Sequence, residues 1–299
     1  MDSSFTKGKE GVKVVIMDAT PEQVKQSSYK VGELPILRVS KSSFMNYQKC
    51  PRQYWWRYMS GVPSPPVGEA AIRGTAIHSV MEASLIDGPD VIPDMAEEYG
   101  VAGDVGVDEM AKLIHGIAST LGGLDVVEVE EKRYLYEDFE TENLGVIPII
   151  WSGMIDGVLR HPDGGLIIVE LKTGSMNPSK LSRTRKELVF YHRMLTQAGF
   201  ENITHFLYIA PDCTDERMLD EIGKRGKEVW LGESCGVAVM ERVPTRSLNT
   251  FPQSLNNTIE SLVSHQWPMK WNDYFCPEWC DFSMSCDGIL SGLEPDVIP

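Results

Sequence analysis

No stretch of this chain approaches the ~20 consecutive apolar residues that a membrane-spanning helix needs. The polar opening MDSSFTKGKE does not read as a signal peptide, so an intracellular, cytoplasmic setting is expected. There is no glycine-rich loop ending in Gly-Lys-Ser/Thr, which excludes ATP-driven translocation as an activity encoded here. Internal repeats and low-complexity tracts are also missing. Positive charge is scarce: 28 Lys and Arg stand against 43 Asp and Glu, a net charge of −15. The molecule as a whole therefore repels a polyanion, and any nucleic-acid contact must come from local basic patches or bound metal. Six cysteines in 299 residues are no disulfide framework for a long intracellular chain, and their clustering points to metal or redox use.

Among what is present, the stretch from Ile149 to Thr173, IIWSGMIDGVLRHPDGGLIIVELKT, organises the rest. Two β-branched runs flank the turn cluster His161-Pro162-Asp163-Gly164-Gly165, a hairpin signal. Asp156 and Glu170 lie equally far from Asp163, so they face each other across the strands to within one register step. Lys172, two residues past Glu170, projects from the same face as Glu170. Buried unpaired carboxylates repel and cost several kcal/mol. A divalent cation such as Mg²⁺ or Mn²⁺ would relieve that cost, with the lysine beside it orienting water or neutralising a phosphate. The competing explanation is a surface hairpin with an ordinary Glu–Lys pair.

Elsewhere, Val12–Met17 reads as a short strand and the remainder of 1–38 as loop or tail. Ser42 or Ser43 is expected to cap a short helix bearing Phe44 and Tyr47, and Pro51 to start a second, rich in Tyr and Trp. Most of those rings pack in a core, though one or two beside Arg52 and Arg57 can stack on unpaired bases. Pro63–Pro66 reads as a linker, 69–85 as a helix containing Gly74 and His78, 87–105 as loop, and 109–121 as a helix. A lone histidine on an apolar helix is more often a core residue than a ligand. Strands follow at 126–130, 134–136, 205–210 and 236–240, and helices at 181–196 and 248–263. Lys180, Arg183, Arg185 and Lys186 form the densest basic stretch; either a solvated face or, beside the hairpin, a set of phosphate contacts.

Near the C-terminus, FCPEWCDFSMSC places Cys276, Cys280 and Cys286 close together, and Cys50, before Pro51, is the best fourth ligand. A trio plus one remote cysteine fits an iron–sulfur cluster better than zinc, which usually takes paired C-x2-C arms; unliganded thiols are the third possibility.

Taken together these pieces resemble the PD-(D/E)XK nuclease superfamily. Asp156 followed by Glu170-Leu171-Lys172 resembles its D…ExK core, Gly74–His78 the G…H motif of the RecB-type branch, and Glu187–Tyr191 its Q-x-x-x-Y. The cysteine arrangement resembles the iron–sulfur version in AddB-type nucleases and CRISPR-associated exonucleases. The resemblance spans Ser42 to Asp287. It departs at Ile155, where the superfamily has proline, at Glu187 for glutamine, and in the x3 spacing between Cys276 and Cys280.

The resemblance implies a mixed α/β fold: a central mixed sheet flanked by helices, with a restriction-endonuclease-like core. It further implies that His78, Asp156 and Glu170, with the Leu171 carbonyl, hold Mg²⁺ or Mn²⁺, and that Lys172 acts on the attacking water. Tyr191 and Glu187 would position DNA, and Cys50, Cys276, Cys280 and Cys286 would hold a 4Fe-4S cluster. The expected layout is an N-terminal segment over 1–41, a helical part over 42–122, a nuclease core over 123–265 and a cysteine segment over 266–299, with 42–287 compact. The expected function is an exonuclease on single-stranded or frayed DNA ends in repair, recombination or CRISPR adaptation, with possible protein partners there. The alternatives are a non-catalytic DNA-end-binding subunit of a larger complex, and a redox protein, which gives no reason for Asp156, Glu170 and Lys172.

Overall fold

Apolar residues from 145 to 160 and the continuous run from 166 to 171 form the two strands expected around the turn at 161–165. The computed structural model describes residues 17–63, 66–212, 227–234 and 236–290. Residues 12–16 of the expected strand Val12–Met17, the middle of the 63–66 linker, Cys213 and Cys235 lie outside the described residues.

In chain order the first elements are β1 (Met17–Asp18), α1 (Pro21–Lys25), β2 (Ser27–Ser28), β3 (Ile36–Ser40), α2 (Lys41–Lys49) and α3 (Pro51–Tyr54). A π-helical turn (Trp55–Met59), α4 (Glu69–Asp87), α5 (Ile92–Glu98) and α6 (Val105–Leu121) follow. Then come β4 (Val126–Thr141), β5 (Gly145–Arg160), β6 (Leu166–Leu171), α7 (Pro178–Gln197) and β7 (Ile203–Ala210). The last are β8 (Glu228–Leu231), β9 (Val237–Arg242), α8 (Thr245–Val263), α9 (Phe275–Trp279) and α10 (Ser283–Leu290).

The sheet is mixed, in the order β1-β4-β5-β6-β7-β9-β8, with β3 also paired to β5. At ~3.3 Å per residue β5 runs about 50 Å, long enough to take two partners end to end on one edge. Its other edge is taken by β4 over nearly its whole length. Parallel β3 pairs Leu37–Ser40 with Ile149–Ser152, while antiparallel β6 pairs Leu166–Val169 with Gly157–Arg160. The C-terminal ends of β3 and β6 therefore approach head to head beside residues 152–156 of β5. Ser40 and Leu171 end those strands, and the next residues are Lys41 and Lys172.

Alternation along the strands divides the core. Ile168, Phe206, Tyr208 and Val239 pack with residues of α2, α7 and α8, whereas Ile167, Val169, Leu207 and Met240 pack with those of α4 and α6. On β5 the alternation breaks at the site: Ile155 and Val158, three apart, both join the first layer. Gly74 on α4 meets the Thr173 side chain, whose Oγ1 would lie 2.9 Å from an added Cβ, so glycine is what lets α4 close over the end of β6.

Several local expectations are corrected. The cap of α2 is Ser40, in a reciprocal box with Ser43, because β3 delivers the chain in extended geometry at Ser40. The 87–105 stretch is not all loop: α5 carries Pro93 in its first turn and buries Ile92 and Ala96. The strands at 126–130 and 134–136 are one, β4, held by its long pairing with β5. Residues before 38 already belong to the sheet, through β1, β2 and the start of β3 at Ile36, and β8 was not expected at all.

Candidate metal centre

Four elements deliver the expected residues to one place. Val129 pairs with Gly157 and Gly157 with Val169, so Asp156 stands opposite Glu170, in the register read from the turn. Helix α4 brings His78 over Asp156, with Nδ1 3.5 Å from Oδ1. Helix α7 brings Glu187, whose carboxylate accepts from Lys172 Nζ at 2.7 Å. A cavity of about 680 Å³ opens here, lined by His78, Asp156, Lys41, Thr173 and Tyr191 among others.

Asp156 and Glu170 are nearly inaccessible, at 7% and 1% exposure, so each charge requires compensation. Oδ2 of Asp156 accepts the backbone N–H of Leu171 at 2.6 Å. Burial, and then the charge of Glu170, raise the Asp156 carboxyl above the usual range against the pull of His78. Glu170 goes the other way: burial opposes its charge, but Lys41 and Lys172 outweigh it and hold the carboxyl low. Both lysines donate to Oε1, at 2.9 and 2.5 Å, while Oε2 is buried without a hydrogen-bond partner. For His78 too burial opposes charge, yet Asp156 and Glu130 lift its pKa to about 9.

These donors suit a hard divalent ion: carboxylate oxygens, one imidazole and an orphaned buried oxygen. Among the described residues, the one set of three or more ligating side chains with all donor atoms within 4.8 Å of one another is His78, Glu130 and Asp156. Glu170 stands outside it, held by its lysines.

Two members of this site were not foreseen. Lys41 reaches Glu170, lies 3.5 Å from Glu187 and sits 5.0 Å from the centre of the Tyr191 ring. Glu130 lies 3.7 Å from His78 Nδ1. The cap signal before α2 and the acidic alternation of VEVEE were visible, but neither names a partner.

Other expected site residues are placed differently. Tyr191 is buried, its hydroxyl donating to the Met154 carbonyl at 2.6 Å, so it braces β5 and carries Lys41 over its ring. Arg185 is corrected as a phosphate contact: its guanidinium pairs with Glu241 on β9 at 2.6 and 2.7 Å. Arg183 and Lys186 are exposed. Glu187 carries charge where glutamine was usual, but both lysines face it.

The four expected cysteines share a second cavity of about 410 Å³, lined by Cys50, Cys276, Cys280 and Cys286 with Arg183 and Trp271 among others. Burial raises the thiols of Cys280 and Cys286. Trp56 Nε1 donates to Cys286 Sγ at 3.4 Å and the Asn272 N–H to Cys276 Sγ at 3.3 Å.

A family model described as the PD-(D/E)XK nuclease superfamily matches residues 38–287. A search of curated proteins finds no match. Among solved structures, the crystal structure of SSO0001 is similar at 15% identity over 83% of this chain and 84% of that one, with a TM-score of 0.37.

Proposed function

The chain belongs to the PD-(D/E)XK nuclease superfamily, and from that premise we propose that it is a Mg²⁺- or Mn²⁺-dependent deoxyribonuclease trimming single-stranded or frayed DNA ends. The observation that carries this reading is the convergence of His78, Asp156, Glu170 and Lys172 where β3 and β6 meet. His78, Asp156 and Glu170, with the Leu171 carbonyl, hold the ion. When bound, the ion polarises the scissile phosphate and makes water a competent nucleophile near neutral pH. Lys172 orients the attacking water and steadies charge on the phosphate in the transition state. Glu187 fixes Lys172, and Tyr191 fixes Lys41. Arg183 and Lys186, exposed on α7, supply phosphate contacts that the acidic remainder lacks. Such trimming belongs to repair, recombination or CRISPR adaptation.

A 4Fe-4S cluster on Cys50, Cys276, Cys280 and Cys286 is part of the same proposal. One remote cysteine plus a C-terminal trio fits a cluster better than zinc, which usually takes paired C-x2-C arms. The N–H groups aimed at Cys276 and Cys286 suit cluster thiolates. The cluster would staple the Cys50 turn to the C-terminal helices.

The test is incubation of cluster-loaded protein with end-labelled single- and double-stranded DNA, with and without Mn²⁺. Metal-dependent shortening from ends, lost in Lys172→Ala, is expected. Tight end binding without cleavage under any condition would favour the non-catalytic subunit instead.

A further inference from the structure

Glu130 is not among the residues assigned above to hold the ion, yet it lies beside His78 and its backbone is unusual. Its φ of 42° lies in the left-handed region, which costs a non-glycine residue roughly 1–2 kcal/mol. On either side the β4–β5 ladder is regular: Val129 pairs with Gly157 and Glu131 with Ile155. Glu130 (β4), Asp156 (β5) and Glu170 (β6) therefore stand abreast on three adjacent strands, which lie ~4.8 Å apart.

The compensation along this row is lopsided. Lys41 and Lys172 both serve Glu170. On the other side, among the described residues, the one ion-pair partner of Glu130 and of Asp156 is His78, at 3.7 and 3.5 Å from the same Nδ1. Those separations exceed a ~3 Å hydrogen bond. They do fit donors around one ion: at ~2.1 Å from the metal, octahedral neighbours are ~3.0 Å apart and opposite ligands ~4.2 Å. Glu170 Oε2, buried and unpartnered, is an independent sign that the row awaits a cation.

We infer that Glu130 is a protein ligand of the divalent ion, closing with His78 and Asp156 a three-point site on the β4 side of the row. The inference rests on the metal-dependent reading above and adds a ligand outside the D…ExK core. The left-handed turn at 130 is retained because it holds this carboxylate beside His78. Glu170, tied to two lysines, then serves to fix Lys172 as much as to bind the ion.

The test titrates Mn²⁺ into full-length wild type, Glu130→Gln and Asp156→Asn, reading bound Mn²⁺ by electron paramagnetic resonance and by the metal-induced rise in melting temperature. Glu130→Gln should weaken Mn²⁺ binding at least ~10-fold, the lower end of what even an outer-sphere partner is worth, and shrink the melting shift accordingly. Glu130→Asn, which accepts the left-handed backbone more readily, should do the same and guards against misfolding of the first variant. Wild-type affinity in either folded Glu130 variant, with loss in Asp156→Asn, would overturn this inference alone. Wild-type protein that binds no Mn²⁺ would overturn the metal-dependent reading and this inference with it.

Discussion

Lys41 and Lys172 donate to the same oxygen of Glu170, at 2.9 and 2.5 Å, although they follow different strands. Glu170 is 1% exposed, so removing one cation leaves a buried carboxylate half compensated. Lys41→Met should destabilise the metal-free protein by about 1–3 kcal/mol, the scale of a lost hydrogen bond to a buried charged group, measured by urea unfolding. Its cleavage defect should be smaller than that of Lys172→Met. Unchanged stability would mean that Lys172 alone suffices.

The pKa of His78, near 9, gives metal binding a definite pH dependence. An imidazolium cannot coordinate, so Mn²⁺ affinity should climb up to ~10-fold per pH unit from pH 6 and level off near 9. In the metal-free protein the raised pKa stabilises the fold fully below the ~6.5 of an unfolded histidine, and that contribution is lost as pH rises through about 9. Calorimetry in two buffers of different ionisation enthalpy should report about one proton released per ion at neutral pH. A flat profile would remove His78 as a ligand.

Much of this site was legible. The turn at 161–165 fixed the register of Asp156 against Glu170, because a hairpin centre determines every pair flanking it. Glu130 was not, since its contact with His78 depends on a left-handed residue inside a strand. Lys41 was hidden because β3 is five residues long and pairs with a strand more than a hundred positions away. The different setting of Arg185 is readable from helical period. On a helix it lies ~160° from Arg183, whereas Lys186 lies only ~60° away, so the period alone separates the Glu241-facing arginine from the exposed pair.

That separation yields a contrast between variants. Arg183→Ala with Lys186→Ala should weaken DNA binding and reduce its salt slope by up to about one for each phosphate no longer neutralised, leaving stability unchanged. Arg185→Ala should instead lower stability by about 1–3 kcal/mol, because Glu241 is buried and loses its two-pronged partner, and should spare the salt slope. The opposite pattern would move the DNA path to the other face of α7.

The cysteine cavity predicts brown protein with broad visible absorption when purified without oxygen. Cys276→Ser or Cys280→Ser should bleach it and lower the melting temperature, since the staple joins α2 and α3 to α9 and α10. Colourless protein with stoichiometric zinc would refute the cluster and leave the nuclease site untouched.

The most direct measurement pairs cleavage with Mn²⁺ calorimetry in Asp156→Ala and Lys172→Ala, against wild type. Both variants should fold, and both should lose at least ~10²-fold in cleavage of end-labelled DNA, the scale for one preorganised electrostatic group. Mn²⁺ affinity should be lost in Asp156→Ala and largely kept in Lys172→Ala, separating ligand from water-orienting group. Cleavage by Asp156→Ala at the wild-type rate would contradict the account at its centre.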